Sequence, residues 1–109
     1  MSRFSRRARE PLRNHLLDQI DELALELRAA CEATSRGHVP LAARADYLRA
    51  ADAHRRAVLA YAGAWGAAEL TAVADALGQC RAALDASRAL LDQRAADYAG
   101  SLPRRAPTK

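Results

Sequence analysis

The feature that most constrains this chain is a ladder of mostly apolar residues in its C-terminal third. The positions follow alternating steps of three and four residues over four heptads without a proline: Leu70, Val73, Leu77, Cys80, Leu84, Ser87, Leu91, Arg94 and Tyr98. This spacing is typical of a long helix that presents one narrow face to other helices. We therefore expect this segment to build a helical bundle or a helical partner interface.

Two further ladders predict two more helices. The first ladder contains Leu16, Ile20, Leu23, Leu27, Ala30 and Thr34, and the second contains Tyr47, Ala51, His54, Val58, Tyr61 and Trp65. Pro11 suits a first helical turn, Gly37 a helix end and Pro40 the start of the next helix. These signals predict helices at about 11–34, 40–63 and 67–99. Because nothing alternates with period two for long enough to form a sheet, the predicted fold class is all-α.

The segment around Trp65 leaves two architectures open. Gly63 and Gly66 flank this tryptophan, but a glycine inside a helix costs only about 1 kcal/mol and does not force a break. If the segment is a turn, the chain forms a three-helix up-down-up bundle, which we favour. If it is helical, the last two helices merge, and a long helical hairpin pairs between chains as a dimeric four-helix bundle.

Composition adds an argument for self-association. The chain has 109 residues, of which 28 are alanine, and 16 of its 17 basic residues are arginine. Both residue types favour helix, but alanine-lined helices bury little apolar area in a small monomer. A second copy would supply the missing core, so we expect a homo-oligomer or a helical protein partner.

The positive charge is concentrated at the two ends of the chain. Residues 1–13 carry +4 and residues 101–109 carry +3, whereas residues 14–100 carry −3. We expect a flexible basic arm at 1–9, a single helical domain at 10–100 and a flexible basic tail at 101–109. Such tails are suited to phosphate contacts without base readout, and the candidate nucleic-acid contacts are Arg3, Arg6, Arg7, Arg9, Arg104 and Arg105.

The first helix has an acidic face formed by Asp18, Asp21, Glu22 and Glu26. Like charges four residues apart are unfavourable in an isolated helix. A basic neighbour would explain this face, and the second helix offers Arg44, Arg49, Arg55 and Arg56. A basic partner protein or simple solvation are the alternatives.

The sequence contains no catalytic motif that we identify, and we expect no enzyme activity, metal or cofactor. The nearest approach to a metal site is His15, Asp18 and Glu22 on one helix face. Cys31 and Cys80 lie inside helical patterns, which predicts free thiols in a cytoplasmic protein. No segment reaches the roughly 20 apolar residues of a membrane span.

These observations favour a small non-enzymatic helical module for protein–protein interaction, such as a regulator, adaptor or assembly component. The candidate partner interface is Tyr47, His54, Tyr61 and Trp65, because aromatic anchors dominate binding hot spots. The same side chains could instead close the core of the monomer, with His54 half-buried and hydrogen-bonded. The alternatives are a nucleic-acid-associated protein that uses its arginine tails, and a small-ligand pocket around His54 and Trp65.

Overall fold

The chain folds into three helices in a computed structural model that describes the backbone of residues 2–101 and the side chains of residues 10–100. The helices are α1 (Ser2–Thr34), α2 (Leu41–Tyr61) and α3 (Ala67–Ser101). No residue between 2 and 101 lies in a strand, so the predicted all-α three-helix up-down-up bundle is confirmed. Among these helices, none is both long enough and apolar enough to cross a membrane.

The first helix starts earlier than the sequence predicts. It begins at Ser2 instead of residue 11, so Pro11 lies inside α1 and not at its first turn. Proline has no N–H, so this residue cannot donate to the carbonyl four residues earlier. The flexibility expected for the basic arm is untested and stays a prediction, and residues 102–109 of the basic tail lie outside the described residues.

The turn between α1 and α2 contains Gly37, the residue that the sequence predicts to end α1. The left-handed backbone conformation belongs to His38, with φ of 72°, and not to Gly37. Histidine is among the non-glycine residues that adopt this conformation more often than most. Pro40 then precedes α2, and its carbonyl accepts from the amides of Ala43 (3.0 Å) and Arg44 (3.3 Å).

The segment around Trp65 is a turn, so the alternative with one merged α2–α3 helix is wrong. The carboxylate of Glu69 accepts hydrogen bonds from the backbone N–H groups of Gly66 (2.7 Å) and Trp65 (3.1 Å). Glu69 is the third residue of α3, from which a glutamate can reach back to the cap of its own helix. These two N–H groups are the main causes that lower the pKa of Glu69.

The large apolar side chains of the core come from α1 and α3. All four large apolar residues of the α1 ladder are buried, as are the first six positions of the α3 ladder, Leu70 to Ser87. Beyond them Leu91 is only half-buried, and Arg94 and Tyr98 are exposed. The reason is the length of α3. The Ser87 hydroxyl donates to the carbonyl of Ala43 near the start of α2 (2.8 Å), and the residues of α3 after Ser87 continue past that end of the bundle.

The aromatic ladder of α2 is not the most deeply buried line of this helix. Its members are half-buried, apart from Val58 and Trp65, which are exposed. The fully covered line lies beside it and consists of Ala43, Asp46, Ala50, Ala53 and Ala57. Small side chains let two backbones approach closely, and α2 accordingly packs more extensively on α3 than α1 packs on either helix.

Candidate functional site

The four predicted interface residues lie on the side of α2 that faces α1 and in the turn after it. Tyr47, His54 and Tyr61 are half-buried, and Trp65 is 42% exposed. The structure gives His54, Tyr61 and Trp65 definite partners in α1. Their role in binding another protein is untested by these contacts and stays a prediction.

His54 connects α2 to the backbone of α1. Its Nε2 lies 2.9 Å from the carbonyl oxygen of Ile20. Because a carbonyl only accepts, Nε2 carries the proton and donates in this contact. His54 is therefore half-buried and hydrogen-bonded, as the sequence predicts.

Arg13 holds the far end of α2 against α1. Its guanidinium lies 3.8 Å from the ring centroid of Trp65 and 4.3 Å from that of Tyr61. The same group donates to the carbonyls of Tyr61 (3.2 Å) and Ala64, while the Tyr61 hydroxyl donates to the carbonyl of Arg13 (3.1 Å). A cation at the C-terminal end of a helix also interacts favourably with the helix dipole.

Sequence reasoning missed Arg13, although a signal for it existed. Arg13 stands three residues before Leu16, so it continues the α1 ladder by one more step. From the sequence, its charge counts with that of the N-terminal end, and no structural role is predicted for it. The structure shows instead that its stem follows the bundle and its head caps the neighbouring helix.

A second polar cluster lies at the opposite end of the bundle, where α1 ends. Arg44 donates to the hydroxyls of Thr34 and Ser35, both at 3.3 Å, and its guanidinium lies 5.3 Å from the ring centroid of Tyr47. Tyr47 is the main cause that lowers the pKa of the Cys31 thiol. Both cysteines are free, as predicted, and burial raises the pKa of Cys80 to about 11.

The acidic face of α1 meets a basic side chain of α3, not of α2. Arg81 donates two hydrogen bonds of 2.6 Å to the two carboxylate oxygens of Glu26. This bidentate contact is the main cause that lowers the pKa of Glu26. The expectation that α2 arginines cover this face is therefore wrong for Glu26. One of those arginines, Arg56, bonds instead to Asp52 (3.1 Å) and Gln79 (3.0 Å).

Three exposed leucines lie on the side of α2 that points away from α1 and α3. Leu41, Leu48 and Leu59 are 87%, 51% and 66% exposed. They belong to a row with alternating steps of four and three residues, every member of which is exposed: Leu41, Ala45, Leu48, Asp52, Arg55, Leu59 and Ala62. We call this row the outer face of α2. The sequence contains this spacing, but the aromatic ladder of the same helix is the more visible pattern.

Grooves on the bundle are shallow features between helix pairs. One, with a volume of about 490 Å³, runs beside Leu48 and Asp52 on α2 and reaches Gln79 on α3. A second, of about 310 Å³, separates α1 from α3 near Ala30 and Leu91. Neither is lined by His54 or Trp65, around which the sequence suggested a ligand pocket.

Two other possibilities raised by the sequence are a metal site and nucleic-acid contacts. No group of three or more His, Cys, Asp or Glu side chains within residues 10–100 is arranged to hold a metal ion. The side chains proposed for nucleic-acid contact, Arg3, Arg6, Arg7, Arg9, Arg104 and Arg105, lie outside the described residues.

Comparison with known proteins adds no relative to this description. No protein-family model matches the chain, and no curated protein and no solved structure gives a significant match. The exposed surface of the bundle is therefore the basis for a functional proposal.

Proposed function

We propose that this protein is a non-enzymatic helical module that binds another helix through the outer face of α2. The observation that carries the proposal is the exposure of Leu41, Leu48 and Leu59 on one side of a single helix. Single exposed leucines are common on protein surfaces, but three on one side of a single helix form an apolar surface suited to binding. Heptad spacing along that row favours a helix as the binding element.

The rest of α2 supports a division of roles. Its alanine line is covered within the bundle, and His54 and Tyr61 are bonded to α1. These contacts hold α2 by its inner sides and leave its leucines directed outward. A helix held in this way presents a preformed surface, which reduces the ordering cost of binding.

Site-specific photo-crosslinking tests the proposal. A photoreactive amino acid at position 48 of the full chain, expressed in its native cells, is expected to give cross-linked species of discrete mass. The matched control carries the same amino acid at position 93, an exposed glutamine of α3. Absence of a discrete product at position 48, or equal products at both positions, would contradict the proposal.

A further inference from the structure

We propose that the partner of the outer face of α2 is the same face of a second copy of this chain, with the two helices antiparallel. This inference rests on the proposed function and names its partner. Alternating steps of four and three residues are the spacing of a coiled-coil seam, in which positions of one helix pack between those of the other.

One antiparallel alignment makes the layers from Ala45 to Ala62 self-complementary and leaves Leu41 beyond the end of the partner's α2. With a two-fold axis at the level between residues 53 and 54, Leu48 lies opposite the partner's Leu59 and Asp52 opposite the partner's Arg55. Ala45 then lies opposite the partner's Ala62. The two-fold axis repeats each of these pairs, which is the defining property of an isologous interface. The layers thus place leucine on leucine, alanine on alanine and carboxylate on guanidinium.

The two charged residues at the centre of the seam select this orientation. In a parallel pair of α2 helices, Asp52 would lie opposite the partner's Asp52, and Arg55 opposite the partner's Arg55. Like charges across a seam are repulsive, and polar residues at seam positions specify register and partner choice. Charge therefore disfavours the parallel dimer and stabilises the antiparallel one.

The contacts within one chain leave these groups able to pair. Arg55 makes no hydrogen bond or ion pair with any residue between 10 and 100. Asp52 uses only one carboxylate oxygen, Oδ2, for its bond to Arg56. The other exposed arginines of α2, Arg49 and Arg56, are already paired with Asp46 and Asp52. The one unpaired guanidinium of this region thus lies where the alignment puts a carboxylate of the second copy.

Charge reversal tests both the partner and the register. Sedimentation of the purified full chain over a concentration series is expected to show a reversible monomer–dimer equilibrium. Asp52→Arg and Arg55→Asp each place like charges in both central layers, so each weakens dimerisation by about tenfold or more. An equimolar mixture of the two variants restores opposite charges in both layers and is expected to dimerise as a heterodimer. Asp75→Arg, an exposed charge reversal on α3, is the control and leaves dimerisation unchanged.

Each outcome decides the inference. A wild-type chain that stays monomeric at high micromolar concentration overturns it, even if cross-linking through position 48 to a different protein succeeds and supports the proposed function. Single variants that still dimerise, or a mixture that stays monomeric, show that this register is wrong.

A cysteine pairing experiment covers the case in which a charge variant fails to fold. A mixture of Ala45→Cys and Ala62→Cys chains is expected to form an intermolecular disulfide under mild oxidation. A mixture of Ala42→Cys and Ala62→Cys chains is the control, because Ala42 is exposed but lies off the outer face. No disulfide in the first mixture, or equal yields in both, would overturn the antiparallel register.

Discussion

The helices α1 and α2 both carry leucine at helical spacing, but the leucine ladder of α1 faces the core, whereas the leucines of α2 face outward. Outside its ladder, α1 also has exposed leucines: Leu12, Leu17 and Leu25. In α1, Leu16, Leu23 and Leu27 are buried between 1% and 9% exposure, whereas in α2 the three leucines are 51% to 87% exposed. The buried line of α2 is made of alanine and one aspartate. Close packing and apolar burial therefore come from different helices. The helix α2 contacts α3 most extensively but contributes few large apolar side chains to the core.

The difference teaches that a leucine row at the right spacing does not by itself identify a core. In α1 the row stabilises the monomer. In α2 the alanine line provides the close approach to α3, and the role that we propose for the leucines is contact with another chain. Single substitutions in the two helices test this distinction.

Truncation of a buried leucine in α1 should give the largest effect. Leu23→Ala is expected to lower the free energy of unfolding by about 2–5 kcal/mol, because it removes buried methyl groups and leaves a cavity. The matched control is Leu25→Ala, two residues away in the same helix and 66% exposed, which should change stability by less than about 0.5 kcal/mol. Urea unfolding followed by circular dichroism measures both, and equal losses would contradict the assignment of the α1 core.

Enlarging one residue of the alanine line of α2 should lower the free energy of unfolding by somewhat less. Ala50 is fully buried, and Ala50→Leu is expected to destabilise the chain by about 1–3 kcal/mol because the closely packed interface has no room for a larger side chain. Ala60→Leu, on an exposed side of the same helix, is the control. If Ala50→Leu were as stable as its control in thermal unfolding, α2 and α3 would not be packed through alanine.

Removal of the Arg13 head group should have an intermediate effect. Arg13→Ala removes hydrogen bonds to the carbonyls of Tyr61 and Ala64 and the stacking on Trp65, and we expect a loss of about 1–3 kcal/mol. Trp65, the single tryptophan, should report the change as an altered fluorescence spectrum of the folded protein. Arg28→Ala, an exposed change in the same helix, should leave both the spectrum and the stability unaltered.

The ion pair between α1 and α3 should contribute least. Its partners are 44% and 39% exposed, and exposed pairs contribute about 0.2–1 kcal/mol. Because the pKa of Glu26 is lowered in the folded state, this stabilisation is present above the unfolded carboxyl pKa. It is lost as the pH falls through the folded value. Glu26→Gln should therefore be less stable than wild type at pH 7 but equal to it at about pH 2, whereas Glu32→Gln should match wild type at both.

Apolar spacing predicted the number, order and approximate extent of the helices. The ladders of α1 and α3 identified their buried faces because leucine, isoleucine and valine at these positions have no other good location. The turn at Trp65 could not be decided, since two glycines weaken a helix without breaking it. The structure adds Glu69, whose carboxylate binds the N–H groups at the start of α3.

The surface of α2 was harder to predict, for a physical reason. Alanine is too small to dominate a hydrophobic pattern, so the larger aromatic side chains beside the alanine line gave the more visible ladder. Arg13 and the Glu26–Arg81 pair depend on which helices become neighbours, which the sequence alone does not determine. The outer face became recognisable only when the structure showed that all its members are exposed.

The most direct test of these two leucine roles is the dependence of the urea unfolding midpoint on protein concentration, for wild type and Leu48→Glu. A self-association that stabilises the folded chain should raise the wild-type midpoint as concentration increases. The Leu48→Glu midpoint should not depend on concentration, and it should match wild type at low concentration, where both are monomers. A wild-type midpoint that is independent of concentration, or a Leu48→Glu monomer that is much less stable, would contradict the account.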